Sequence, residues 1–183
     1  MRKGFSLVET IIVVAIITTL LIITSPLFIP EKIKYDQYAN SLTNIFYRAK
    51  MSAIFNLYNA NIIYNRSTGI FTIFIDENRN NIRDSNERIV HTFPTTLDFL
   101  RRSRTRLQRV LVFNGSNWIN LIFLNQETNI VTFNRLGFAE TSTPNTQIID
   151  IYITNTQISN RYRYEYVIRI NSGGNIRLIK RNL

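Results

Sequence analysis

The chain has 183 residues, with 22 Lys or Arg against 12 Asp or Glu, one His and no Cys, and it carries a formal charge of +10. The absence of cysteine excludes disulfide staples and leaves stability to packing, while a lone histidine leaves little material for acid–base or metal catalysis. The charge is uneven: residues 1–96 hold ten basic and seven acidic side chains and residues 97–183 twelve and five, net +3 against +7. Basic excess of this kind either forms a solvated face or attracts nucleic acid, anionic lipid or an acidic partner protein.

The first thirty residues differ from all that follow. Of the 21 residues from Phe5 to Ser25, fourteen are Phe, Leu, Val, Ile or Ala, and Glu9 carries the only formal charge. A helix over this stretch would be ~32 Å long at ~1.5 Å per residue, close to the ~30 Å hydrocarbon core of a bilayer. A carboxylate inside such a span is expensive and calls for a function and a partner. No Lys or Arg lies between Lys3 and Lys32, so the partner has to arrive by processing or by assembly. Arg2 and Lys3 ahead of the span predict a cytoplasmic N-terminus.

The stretch Lys3-Gly4-Phe5-Ser6-Leu7-Val8-Glu9 resembles the type IV prepilin signal shared by type IV pilins and the pseudopilins of type II secretion. The resemblance implies cleavage after Gly4 by a prepilin peptidase, N-methylation of the new terminus at Phe5, and a filament in which Glu9 neutralises the terminal amine of a neighbouring subunit. It also implies a kinking role for Pro26, 22 residues into the mature chain. The expected organisation is a leader over 1–4, a transmembrane and filament-core helix over 5–29, the exposed amphipathic half of the same helix over 30–59, and a β domain over 60–183. The expected location is the inner membrane, crossed once, with the C-terminal domain outside the cytoplasm before entry into a pilus or pseudopilus. Other pilin subunits and an inner-membrane assembly platform are the implied partners.

After Pro30, Tyr35, Tyr38, Leu42, Ile45, Phe46, Ala49, Ala53 and Leu57 recur at helical spacing with polar residues between them. This predicts a helix from Glu31 to about Leu57 whose apolar stripe covers a sheet. About 150 residues beyond the leader and span are enough for one domain with its own core. Eight strands are predicted: Ile70 to Ile75, Arg88 to Phe93, Leu107 to Phe113, Trp118 to Phe123, Ile130 to Phe133, Ile148 to Ile153, Tyr162 to Ile170 and Ile176 to Ile179. Asn114 to Asn117 and Asn171 to Asn175 read as hairpin turns. Short strands after one helix make the fold class α+β, and the resemblance implies a type IV pilin-like form, a long N-terminal helix, membrane-spanning in its first half, packed on an antiparallel β-sheet domain. Tyr47 to Ile54, Phe74 to Glu87 and Ile130 to Gly137 resemble segments of the FimT and GspH-type minor pilins and pseudopilins.

Between two of these strands lies an acidic loop. Asp76, Asn78, Asn80, Asp84 and Glu87 occupy positions 1, 3, 5, 9 and 12 of twelve residues, the spacing of calcium ligands in an EF-hand. The turn position is Asn81 rather than Gly, the hydrophobe Ile82 comes one place early, and strands replace the flanking helices. Calcium binding and an ordinary solvated hairpin are the two readings, and no other cofactor is expected.

Two basic clusters follow. Arg102, Arg104 and Arg106, if extended, share one face at ~6.6 Å intervals, which suits the phosphates of a nucleic-acid strand; the same charges also protect an edge strand from pairing with another chain. Near the C-terminus Arg177, Lys180 and Arg181 follow Tyr162, Tyr164 and Tyr166, which would stack on bases if they faced outward. Gly174-Asn175-Ile176-Arg177 resembles the Gly-Arg-x-Arg segment associated with DNA contact in FimT-like pilins, with Asn175 in place of the first arginine. No catalytic fingerprint is present, and His91 lies within a predicted strand, so an enzyme is not expected. The sequence thus points to a minor pilin or pseudopilin that binds double-stranded DNA through its basic C-terminal half. The alternative is a GspH-like subunit priming a type II secretion pseudopilus.

Overall fold

The computed structural model describes residues 7–24, 31–65, 68, 70–94, 105–121, 127–155 and 164–183. Helix α1 covers Leu7–Thr24 and α2 covers Glu31–Asn56; the junction between them, with Pro26, lies outside the described residues. The strands are β1 (Asn59–Asn65), β2 (Ile70–Asp76), β3 (Ile89–Pro94), β4 (Thr105–Phe113), β5 (Trp118–Asn120), β6 (Glu127–Phe133), β7 (Ala139–Glu140), β8 (Ile148–Asn155), β9 (Tyr164–Asn171) and β10 (Ile176–Asn182). They form two five-stranded antiparallel sheets, in the orders β3-β2-β1-β6-β7 and β10-β9-β8-β4-β5.

The helical stripe of α2 forms as its spacing requires. Tyr35, Tyr38, Leu42, Phe46, Ala49 and Ala53 are fully buried, and they recur every three or four residues, so they lie along one side of the helix. Leu57 departs from the expected stripe. It has left-handed backbone, φ 60, and is 67% exposed, so it ends the helix instead of extending the apolar face.

One core joins α2 to both sheets. The first sheet contributes Ile62, Phe71, Ile73 and Phe133, and the second Val110, Val112, Ile149, Ile151 and Ile168. The expected antiparallel β domain is built of two sheets, and α2 packs on strands of each. Polar anchors fix its position on the second sheet. The Tyr35 hydroxyl donates to the Ile153 carbonyl at 2.7 Å, Tyr47 to the Ile176 carbonyl at 2.7 Å, and the Lys50 ammonium to the Gly174 carbonyl at 2.9 Å.

Strand β1, unassigned in the sequence reading, is the centre of the first sheet, paired with β2 on one side and β6 on the other. Both predicted turns form. Asn114 closes the β4–β5 connection by accepting the Ser116 and Asn117 amides on its side chain, and Asn171 accepts the Asn175 amide at 2.8 Å in the β9–β10 turn.

Candidate functional site

The N-terminal candidate rests on α1. Glu9 sits in the first turn, where the unsatisfied backbone N–H groups of a helix favour a carboxylate. Along the rest of the helix, large apolar side chains face outward: Leu7 is 79% exposed, Ile11 59% and Leu21 63%. Thr18 and Thr19 turn their hydroxyls back onto the Val14 and Ala15 carbonyls at 2.8 Å each, so these two hydroxyls are used within the helix. Among the described residues no helix is long and apolar enough to cross a membrane. The 18 described residues of α1 span about 27 Å at 1.5 Å per residue. Gly4 and Phe5, the expected cleavage and methylation positions, lie outside the described residues.

The basic candidates are divided by strand geometry. Arg102 and Arg104 lie outside the described residues, and Arg106 is on β4 opposite Thr154. On β10, alternation separates the remaining three. Arg177 pairs with Arg169 and Arg181 with Glu165, whereas Lys180 pairs with Tyr166. Lys180 thus stands on the face that meets α2, its ammonium 3.8 Å from the centre of the Tyr164 ring. Arg177 and Arg181 point the other way and are exposed, with Arg181 4.0 Å from Glu165.

Of the candidate tyrosines Tyr162 lies outside the described residues, and Tyr164 and Tyr166 do not provide a stacking platform. Tyr164 and Tyr166 are buried at 3% and 8% exposure, packed on Tyr35 at ring separations of 5.8 and 5.1 Å. Both hydroxyls donate to Asp36 of α2. Their neighbours along the chain explain this: Tyr164, Tyr166, Ile168 and Ile170 alternate with Glu165, Val167 and Arg169, so they share the apolar inner face.

That outer face also brings together Arg169, Arg109 and Trp118 with Asp150 and Tyr152, two residues the sequence reading did not consider. Arg169 grips buried Asp150 with two hydrogen bonds of 2.8 and 2.7 Å. The bonded carboxylate raises the Arg169 pKa above its ordinary value. The Arg109 guanidinium lies 4.3 Å from the centre of the Tyr152 ring, a cation–π contact. Trp118 is 46% exposed at the edge and packs tilted against Phe113, with ring centres 5.2 Å apart. Trp118, Tyr152, Asp150, Arg169 and Arg181 line a shallow cleft of about 380 Å³. Assigning β4, β8, β9 and β10 to one sheet would have exposed this cluster in the sequence, because their cross-strand partners are what bring it together.

The acidic loop is ordered by its own side chains. Asp76 is fully buried; its carboxylate accepts the Asn80 and Asn81 amides at 3.1 and 2.9 Å and the Asn61 side-chain N–H at 3.1 Å. Asn61 also accepts from Thr132 and Asn129 of β6, which ties the start of the loop to the middle of the first sheet. Asn78 and Asn80 donate to Asp84 Oδ2 at 2.6 and 3.0 Å. Glu87 Oε2 accepts the Asp84 amide at 3.0 Å. Among the described residues no three His, Cys, Asp or Glu side chains stand close enough to hold a metal ion unaided. His91 is a half-buried residue of β3, opposite Ile73.

Comparison with known proteins adds sequence and fold relationships. No protein-family model matches the chain. It is 32% identical to the pilin-like protein PilA1 of Thermus thermophilus over 87 residues, 47% of this chain and 56% of that relative; the match spans little more than half the length of PilA1. In three dimensions it resembles the type IV minor pilin FimU of Pseudomonas aeruginosa, with a TM-score of 0.51 at 14% identity over 81% of this chain and 90% of FimU. It also resembles the minor pseudopilin EpsH of the Vibrio cholerae type 2 secretion system, with a TM-score of 0.50 at 10% identity over 79% of this chain and 95% of EpsH. The chain is thus similar in sequence, over about half its length, to a pilin-like protein, and its α+β fold, an amphipathic helix laid over antiparallel sheets, is the fold that FimU and EpsH share.

Proposed function

We propose that the chain is a minor subunit of a type IV pilus-like filament, without catalytic activity, held in the inner membrane by its first helix until assembly. The observation that carries this reading is the outward-facing apolar surface of α1, attached to a domain that buries its own core. A helix of this kind gains by contact with lipid or with other helices, and a filament core supplies the second once the first is left behind. Prepilin peptidase cuts after Gly4, Phe5 is methylated, and Glu9 meets the terminal amine of a neighbour. The charge pair then offsets the cost of placing a carboxylate among apolar helices. Glu9→Ala is expected to leave cleavage intact and to block incorporation, read by immunoblot of processed protein and of sheared filaments. Normal filament entry by this variant would refute the role given to Glu9.

The finer reading is that the filament subunit holds double-stranded DNA through Arg177 and Arg181. Both are exposed on one face of β10, four residues and therefore about 13 Å apart, a spacing that lets each meet its own phosphate. Neither is held in a bidentate ion pair of the kind that occupies Arg169. Binding of the full chain in detergent micelles to duplex DNA should weaken as salt rises, and replacing both arginines by Glu should flatten the logarithmic salt slope by roughly 2. Absence of salt-sensitive binding in the unaltered protein would favour the alternative. In that case the chain is a minor pseudopilin that primes a type II secretion pseudopilus, and its charges meet partner pseudopilins.

A further inference from the structure

We propose that the loop 76–87 between β2 and β3 is a calcium site, with oxygen supplied by Asp76, Asn78, Asn80, the Ile82 carbonyl, Asp84 and Glu87. Its ends are fixed before any ion arrives. The Ile75 amide donates to the Arg88 carbonyl at 3.0 Å, closing the loop at its base, and Asp76 is held from the middle of the sheet by Asn61 at 3.1 Å. Asn81, at the position where twelve-residue calcium loops carry Gly, has the left-handed φ of 59 that the position demands.

The observation that asks for a ligand is Glu87. This residue is only 9% exposed, and its Oε1 is buried without a hydrogen-bond partner. Its other oxygen accepts the Asp84 amide at 3.0 Å, which aims the carboxylate into the loop at the position of the bidentate twelfth ligand. A buried carboxylate oxygen with no donor is costly and calls for a water or an ion. The other donors have spare capacity as well. Asn78 Oδ1 accepts the Asn80 amide at 3.1 Å and Asn80 Oδ1 accepts the Ile82 amide at 2.7 Å, and each amide oxygen keeps a second lone pair.

The N–H groups of Asn78 and Asn80 now converge on Asp84 Oδ2, so partial positive charge already sits beside this carboxylate. An entering cation would displace those N–H groups and recruit the amide oxygens, which explains why the acids alone do not form a compact metal cluster here. All donors are oxygen, which selects a hard cation, and the mixture of amide, carbonyl and carboxylate on a loop suits calcium better than the strict octahedron of magnesium.

The test uses the full chain in detergent micelles, stripped with chelator and titrated with calcium chloride to about 5 mM, a range that brackets the ~10⁻⁴–10⁻³ M affinities of extracellular calcium modules. Saturable heat is expected, with a melting temperature raised by roughly 3–7 °C at about 5 mM calcium, some five to fifty times such a Kd, and a smaller response to magnesium. Glu87→Gln should abolish the calcium response while melting at least as high as the unaltered protein in chelator. Asp84→Asn, at a half-exposed position, gives the same comparison without a buried substitution. No saturable heat and no rise in melting temperature in the unaltered protein would overturn the site, as would an equal response to magnesium or a full calcium response in either variant.

Discussion

Gly174 has backbone φ of +71, and a Cβ there would lie 1.8 Å from the Gly137 carbonyl oxygen. Two turns from different sheets meet at this point, and Lys50 of α2 donates to the Gly174 carbonyl at 2.9 Å, so helix and both sheets are locked together around one residue without a side chain. Gly174→Ala combines a left-handed backbone with a clash against main chain. It should cost about 3 kcal/mol, a fall of roughly 10 °C in melting temperature. Gly173→Ala next door is the control: its Cβ would meet only the Asn171 Oδ1 at 3.4 Å, and its melting temperature should stay within about 2 °C. Equal melting of the two variants would refute the close approach. In the sequence Gly174 read as part of a binding segment, because a tight contact between remote turns leaves no local signature. The facing of Lys180, in contrast, was legible. Ile176, Leu178 and Lys180 alternate with Arg177, Ile179 and Arg181, and the tyrosines of β9 share the inner set. What obscured it is that Val167 and Ile179 are apolar on the outer face, so neither side of the hairpin is cleanly polar.

At the scale of elements, periodicity recovered most of the fold. The α2 stripe stood out because eight apolar residues fall on one side over about six turns, and seven of them are buried as expected. Its end was misjudged by one residue, since Leu57 is apolar and correctly spaced, and only its left-handed backbone removes it. Strand β1 was passed over for a physical reason. Three of its seven residues are Asn, a type depleted in strands. Asn61 is nonetheless fully buried, because its amide joins Asp76 to Thr132 and Asn129 across β2, β1 and β6. A buried polar group satisfied by three partners on two neighbouring strands depends on pairing that no local window contains. The two-residue β7 is too short for any pattern to mark it. The acidic loop was legible by spacing alone, yet its distinctive feature, the unpartnered oxygen of Glu87, emerges only when the hairpin closes.

At the scale of the whole molecule, the division into two sheets depends on long-range pairing, with β6 returning to β1 across more than sixty residues, and α2 becomes the element both sheets share. Burial of tyrosine along that shared surface has a consequence for pH. Tyr35, Tyr38 and Tyr166 have pKa values raised above the ordinary 10.0, in each case chiefly by desolvation. The folded state therefore keeps these phenolic protons to higher pH than the unfolded chain. Their contribution to stability is complete below pH 10 and is lost progressively as pH rises beyond it. Tyrosinate absorbance from these three should appear together with loss of near-ultraviolet circular dichroism; their ionisation near pH 10 with the fold intact would refute this. Tyr38 separates burial from bonding. It is fully buried against Phe93 at a ring separation of 5.9 Å, and its hydroxyl has no hydrogen-bond partner. Tyr38→Phe removes the unpaired group and keeps the ring, so it should stabilise the protein by about 1 kcal/mol at neutral pH, a rise of roughly 3 °C in melting temperature. It should also shallow the alkaline loss, since one of the three protons held by folding is gone. Tyr35→Phe should do the opposite at neutral pH, because the Tyr35 hydroxyl donates to the Ile153 carbonyl and accepts from the Tyr166 amide, and its removal leaves both backbone groups without that partner in the core. Equal effects of the two substitutions would show that burial alone, and not the bonded hydroxyl, sets the part each tyrosine plays in holding α2 to the sheets.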